Sequence, residues 1–117
     1  MNQLKKPAII TLCGSTRFYK EFQKVYYEET MKGKIVLSIG FYPGKKHGEK
    51  IGITIKQKEK LDKLHLRKIN ISDEVFIINK NGYIGESTQN ELNYAKKLNK
   101  KIIYLEPIKE VLDENKH

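Results

Sequence analysis

The chain has 117 residues, 38% hydrophobic and 32% charged, enough for one packed core and too few for two. Its 23 Lys and Arg against 14 Asp and Glu leave a formal charge of +9, which favours an anionic partner, although lysines spread along the whole chain weaken that pointer. No apolar run approaches a membrane span, no signal peptide opens the chain before Lys5-Lys6-Pro7, and Cys13 is the lone cysteine, so the expectation is a cytoplasmic protein without an internal disulfide.

Ala8 to Cys13 is a nearly continuous apolar run, the pattern of a strand covered on both faces. After Gly14, Ser15 or Thr16 can cap a helix running to about Lys32, with Phe18, Phe22, Val25 and Tyr26 on one stripe. Gly33 ends that helix, Ile35 to Gly40 reads as the second strand, and a polar loop follows from Tyr42 to Gly48. Thr54 to Asn70 has helical spacing through Leu61, Leu64 and Ile69, and Asp73 leads into a third strand, Glu74 to Asn79. A helix from Thr88 to Leu98 packs through Leu92, Ala95 and Leu98; Lys101 to Leu105 is the last strand, and Pro107 opens a short C-terminal helix. There is no internal repeat. Strand–helix alternation with short connections predicts one three-layer αβα domain over residues 1–117. Its sheet has four or five mainly parallel strands, in flavodoxin-like or Rossmann-like order.

In such a sheet, ligands bind where turns leave the C-terminal ends of strands. Two turns belong there. The first, Cys13-Gly14-Ser15-Thr16-Arg17, has a glycine for a tight bend, hydroxyls and helix-end amides for an anion, and Arg17 for bidentate grip on phosphate. It is neither a Walker loop nor a Gly-x-Gly-x-x-Gly turn, and an ordinary turn with Ser15 as cap explains it equally well. The second runs from Gly82 to Glu91, with Gly85, Glu86 and Ser87 at the predicted helix entrance. Here Thr88-x-x-Glu91 has the form of a capping box, and Glu91 in the first turn is also a candidate for chemistry.

The segments Leu12-Cys13-Gly14-Ser15-Thr16-Arg17-Phe18 and Gly85-Glu86-Ser87-Thr88-Gln89-Asn90-Glu91-Leu92-Asn93-Tyr94-Ala95 together resemble the nucleoside 2-deoxyribosyltransferase-like superfamily, which includes deoxynucleoside monophosphate N-glycosidases. The resemblance runs from the first strand to the last. It implies Glu91 as nucleophile at the anomeric carbon of the sugar, held ionised by a helix N-terminus, with water or a second base resolving the glycosyl-enzyme. It implies substrate contacts from Gly14, Ser15, Thr16, Arg17, Gly85, Glu86 and Ser87, and assembly as a homodimer or larger homo-oligomer. The family's helix-borne aspartate falls at His65 here, with Asp62 one turn earlier. His65 can protonate a departing base near neutral pH or be a helix residue without a role. The family's Gly-Tyr is Asn93-Tyr94, and Asn79-Lys80-Asn81 stands where an acid is usual.

Other residues divide in the same way. Phe18 and Tyr19 can stack on a base or fill the core, while Tyr42 and Tyr83 fall in loops where ligand contact is easier. Glu86 is a second acid or a solvated charge; Lys45, Lys46 and His47 draw in a phosphate or are simply solvated. Asp73 reads as a helix–strand cap and Cys13 as small buried filler. The three histidines have no metal-ligand spacing, so no metal and no cofactor is expected. Three functions fit this reading, in order. The first is cleavage or exchange of the N-glycosidic bond of a nucleotide or nucleoside. The second is a nucleotide-sensing module of the same fold without turnover. A nucleic-acid-binding protein comes last, because no basic stripe interleaved with aromatics is present.

Overall fold

Alternation along β1 (Ile9–Gly14) splits the interior, expected as a single core, into two clusters on the opposite faces of one sheet, seen in a computed structural model that describes residues 6–39 and 54–108. Ile10 and Leu12 point to one side of the sheet, where α1 (Tyr19–Met31) covers them with Phe22 and Val25. Cys13 points to the other side, against Ile69 of α2 (Ile55–Ile71) and Leu92 and Ala95 of α3 (Glu86–Lys97). In β3 (Glu74–Ile78), Phe76 and Ile78 join the first core while Val75 and Ile77 join the second.

With β2 (Ile35–Leu37) and β4 (Lys101–Tyr104), the sheet is four-stranded in the order β2-β1-β3-β4, all neighbours parallel. This is the flavodoxin-type order rather than the Rossmann one. The handedness rule explains the layers. Parallel crossovers are right-handed, so a chain that steps from β1 out to β2 and then back past β1 to β3 must put its two helices on opposite faces. The step from β3 to β4 continues in the same direction, and α3 therefore lies beside α2.

At the strands' N-terminal edge a buried ion network joins the layers. Glu29, 4% exposed at the end of α1, accepts from Lys32 at 2.9 Å and Lys34 at 2.7 Å, and Lys34 also reaches Glu74 at 2.8 Å. Burial alone would push the Glu29 carboxyl up, but the Lys34 and Lys32 hydrogen bonds outweigh it and hold it below its ordinary value. Asp73 is structural in a different way from the expected cap: its Oδ2 accepts the Ile9 N–H across the sheet at 2.9 Å.

Several boundaries differ from expectation. Ser15 caps a single 3-10 turn, Thr16–Phe18, and α1 starts only at Tyr19, because Phe18 N–H closes early on the Ser15 carbonyl at 3.0 Å. Tyr26 is 46% exposed, since the inward stripe of α1 is Phe22, Val25 and Glu29. Leu64 is equally exposed, and His65 takes the inward position expected of a leucine. Leu98 lies at the exposed end of α3 rather than in the core. The capping box belongs to α2, where Thr54 and Gln57 exchange both bonds, and not to Thr88 and Glu91. The predicted loop with Tyr42, Lys45, Lys46 and His47, and the C-terminal helix beyond Ile108, lie outside the described residues.

Candidate active site at the switch point of the sheet

The strand order reverses between β1 and β3, which opens a crevice at their C-terminal ends. Gly14 pairs with Ile78 there, and a Cβ on Gly14 would lie 3.1 Å from both the Ile78 Cβ and its carbonyl oxygen and 3.3 Å from the Phe22 ring. A side chain at this position would have to push its neighbours back by a few tenths of an ångström, so glycine eases the close approach of the two strand ends. The chain after β3 turns through Asn81 and Gly82, both in the left-handed region at φ 56° and 79°. Asn79, at the foot of that turn, is buried and exchanges two hydrogen bonds with the Glu106 backbone, tying the end of β3 to the chain beyond β4. The polar residue at the place where the resemblance leads one to expect an acid is thus a structural clamp.

Gly85 is the extended N-cap of α3, so Glu86 and Ser87 are its first exposed residues and Thr88 is already inside the helix and buried. Glu91 therefore falls in the second turn, not the first. Thr88, Glu91, Leu92 and Ala95 share one face, and that face meets the sheet, carrying the Glu91 carboxyl inward. On α2 the same logic brings His65 inward one turn before Ile69. Cys13 completes the meeting point from β1.

The Cys13 Sγ lies 3.4 Å from His65 Nε2, which lies 4.0 Å from Glu91 Oε1, and all three atoms are within 4.8 Å of one another. The His65 side chain is 7% exposed and that of Glu91 15%, so the cluster opens to solvent chiefly past the carboxyl. Burial pushes the Glu91 carboxyl up to about 7, with the Asp62 charge adding to it and a Cys13 hydrogen bond and Lys58 only partly opposing it. Its position beyond the first turn puts it out of reach of the helix-end amides expected to keep it ionised. Burial, reinforced by Lys68, holds His65 down at about 4 despite a hydrogen bond to the Leu12 backbone. The imidazole is neutral near pH 7, and its contact with Glu91 is not an ion pair. His65 therefore cannot serve as the expected imidazolium acid in this state. The Cys13 thiol is raised by burial and by Glu91, so it remains protonated and is not a nucleophile. It is more than filler, however, since it touches both other groups.

Above the crevice the two turns meet. The Arg17 guanidinium sits 4.3 Å from the Tyr83 ring centroid, and its Nη2 donates to the Tyr83 hydroxyl at 3.5 Å. Phe18 meets the same ring edge-on at 5.9 Å and packs on the α1-side core, a partly structural role. A Cβ on Gly85 would come within 3.0 Å of the Tyr83 hydroxyl, so glycine makes room for this stack. Ser15 Oγ accepts the Arg17 N–H at 3.2 Å, and Thr16 is exposed beside it. Glu86 is exposed at the start of α3, where the helix dipole favours a negative charge. A groove of about 580 Å³ lined by Tyr19, Gln23, Tyr26 and Tyr27 lies on the opposite, α1 face and meets none of these groups.

The structure thus gathers Cys13, His65 and Glu91 into one cluster and pairs Arg17 with Tyr83 where the turns after β1 and β3 meet. Cys13 was the residue that sequence undervalued. Its signal was available in β1: Thr11 and Cys13 alternate with Ile10 and Leu12, marking one face of the strand as polar. No protein-family model matches the chain, and no curated protein matches it.

Proposed function

We propose that this protein cleaves or exchanges the N-glycosidic bond of a nucleotide or nucleoside, with Glu91 as nucleophile. The observation that carries the reading is the placement of the Glu91 carboxyl, mostly withdrawn from water yet open on one side, gathered with Cys13 and His65 beside the C-terminal end of β1 where the strand order reverses. The resemblance of the Leu12–Phe18 and Gly85–Ala95 segments to nucleoside 2-deoxyribosyltransferase-like proteins supports the same assignment.

The chemistry follows from burial. A carboxylate deprived of water gains most when a cationic centre arrives, because the attraction acts in a low dielectric. The ionised Glu91 oxygen attacks the anomeric carbon as the carbon–nitrogen bond breaks and its electron pair leaves with the base. The departing base draws its proton from water at the open edge, since His65 is neutral near pH 7. Water or a second base then attacks the same carbon and returns Glu91 to its free form. Arg17 and the exposed amides that open α3 would hold a 5′-phosphate.

Base release measured by liquid chromatography tests this. Deoxynucleoside monophosphates, ribonucleotides and free nucleosides are incubated with wild type and Glu91→Gln, with and without an acceptor base. The substitution is expected to lower the rate by about 10⁴-fold, or roughly 5 kcal/mol in the barrier. Wild-type kcat/KM should rise as pH rises through about 7, as Glu91 ionises. Saturable nucleotide binding with no base released from any substrate would replace this reading with a sensing module.

A further inference from the structure

We propose that Cys13, His65 and Glu91 also form a three-ligand site for a thiophilic divalent cation, best fitted by Zn²⁺, with its fourth position open at the C-terminal edge of the sheet. The three ligand atoms come from three elements, β1, α2 and α3, so packing of the layers positions them before any ion arrives. A tetrahedral Zn²⁺ with bonds of about 2.0–2.3 Å sets its ligand atoms about 3.3–3.6 Å apart. Here Sγ and Nε2 stand 3.4 Å apart, Nε2 and Oε1 stand 4.0 Å apart, and no pair exceeds 4.8 Å. Closing the remaining gap needs only the Glu91 carboxylate to move by about an ångström, and it is the most exposed of the three groups.

The donor set selects the ion. One sulfur and one imidazole nitrogen suit zinc and cobalt and do not suit magnesium or calcium, which take oxygen ligands. The His65 ring is further fixed by its hydrogen bond to the Leu12 backbone, the kind of outer contact that orients a ligating histidine. Binding places the thiolate on the metal and sends its proton to solvent. The site stands on its own geometry. Only one consequence rests on the glycosyl reading: a metal that holds Glu91 denies it to the sugar, so zinc would inhibit base release.

Co²⁺ reports on this directly. The full chain, stripped with a chelator, is titrated with Co²⁺ and followed by absorption, then back-titrated with Zn²⁺. One equivalent should produce tetrahedral bands and a thiolate-to-cobalt charge-transfer band, both erased by Zn²⁺. Cys13→Ser should abolish the charge-transfer band, and Glu91→Gln should keep it while weakening binding by about tenfold or more. The other two histidines, His47 and His117, lie outside the described residues, so the controls matter. No charge-transfer band in wild type, the same band in Cys13→Ser, or unchanged affinity in Glu91→Gln would each overturn the site. If Cys13→Ser does not fold, the wild-type band and the Glu91→Gln affinity decide. Cobalt binding without base release keeps this site and removes the catalytic reading; base release without cobalt binding does the reverse.

Discussion

The two faces of one sheet do different work. On the α1 face, Ile10, Leu12, Phe76 and Ile78 meet Phe22 and Val25 in an apolar cluster, and the one buried charge of α1, Glu29, is held by Lys32 and Lys34. On the α2/α3 face, residues of the same two strands meet Ile69, Leu92 and Ala95, but Thr11, Cys13, His65, Ser72, Thr88 and Glu91 are packed among them. Some of these polar groups are satisfied structurally: the Thr11 and Ser72 hydroxyls share a hydrogen bond and lie 3.2 and 2.7 Å from the Lys68 carbonyl, so one hydroxyl donates to the other and the second donates to that carbonyl. Glu91 and His65 are not neutralised by partners of opposite charge, and their charged forms are penalised instead. A mostly apolar face, whose one buried carboxylate is paired, lends the stability that lets the opposite face tolerate such groups.

The sharpest break of that contrast is Phe22→Ala, expected to cost about 4 kcal/mol by emptying the α1-side core, read as a lowered urea midpoint. A loss below about 1 kcal/mol would mean that this face does not carry the stability.

Next in size is the pH dependence of stability in chelator-treated buffer. Glu91 has a raised folded value, so its contribution is full at acid pH and is lost as pH rises through about 7. His65 has a lowered one, so its contribution is full above about 6.5 and is lost as pH falls through about 4. In wild type the two slopes oppose each other between these limits. Relative to wild type, Glu91→Gln should gain stability with rising pH, by about 3 kcal/mol across the window, and His65→Gln should lose a similar amount. Parallel profiles for all three proteins would show that neither group is buried as described.

Gly14→Ala should cost about 2 kcal/mol, because the added methyl meets the Ile78 backbone and the Phe22 ring, and a thermal melt measures it. The smallest effect is Arg17→Ala. It should weaken a 5′-phosphorylated ligand about tenfold and leave free nucleosides unchanged, a split that isothermal titration resolves. Equal loss for both ligands would reduce Arg17 to a support for Tyr83.

Much of the fold was legible because its signals are local. The apolar run before Cys13, the glycine at 33 and the strand from Glu74 each follow from neighbouring residues, and the four strands fall close to where periodicity put them. The site was legible only in part. Glu91 and Arg17 stood out through their turns, but the capping-box reading of Thr88 and Glu91 failed because Gly85 starts the helix earlier. His65 drew notice through its spacing from Asp73, yet its protonation state depends on burial that no spacing reveals. Tyr83 was visible as a loop aromatic and not as the partner of Arg17, because that pair spans two loops 66 residues apart.

By itself the sequence determined the α/β class, the parallel sheet and the two turns at one edge, since period, glycine and strand–helix alternation are written residue by residue. Tertiary structure alone decided that a thiol, an imidazole and a carboxyl from three elements converge, and which of them carries a proton. Convergence is set by the register of β1 against β3 and by the face each helix turns to the sheet, and desolvation exists only once those layers close.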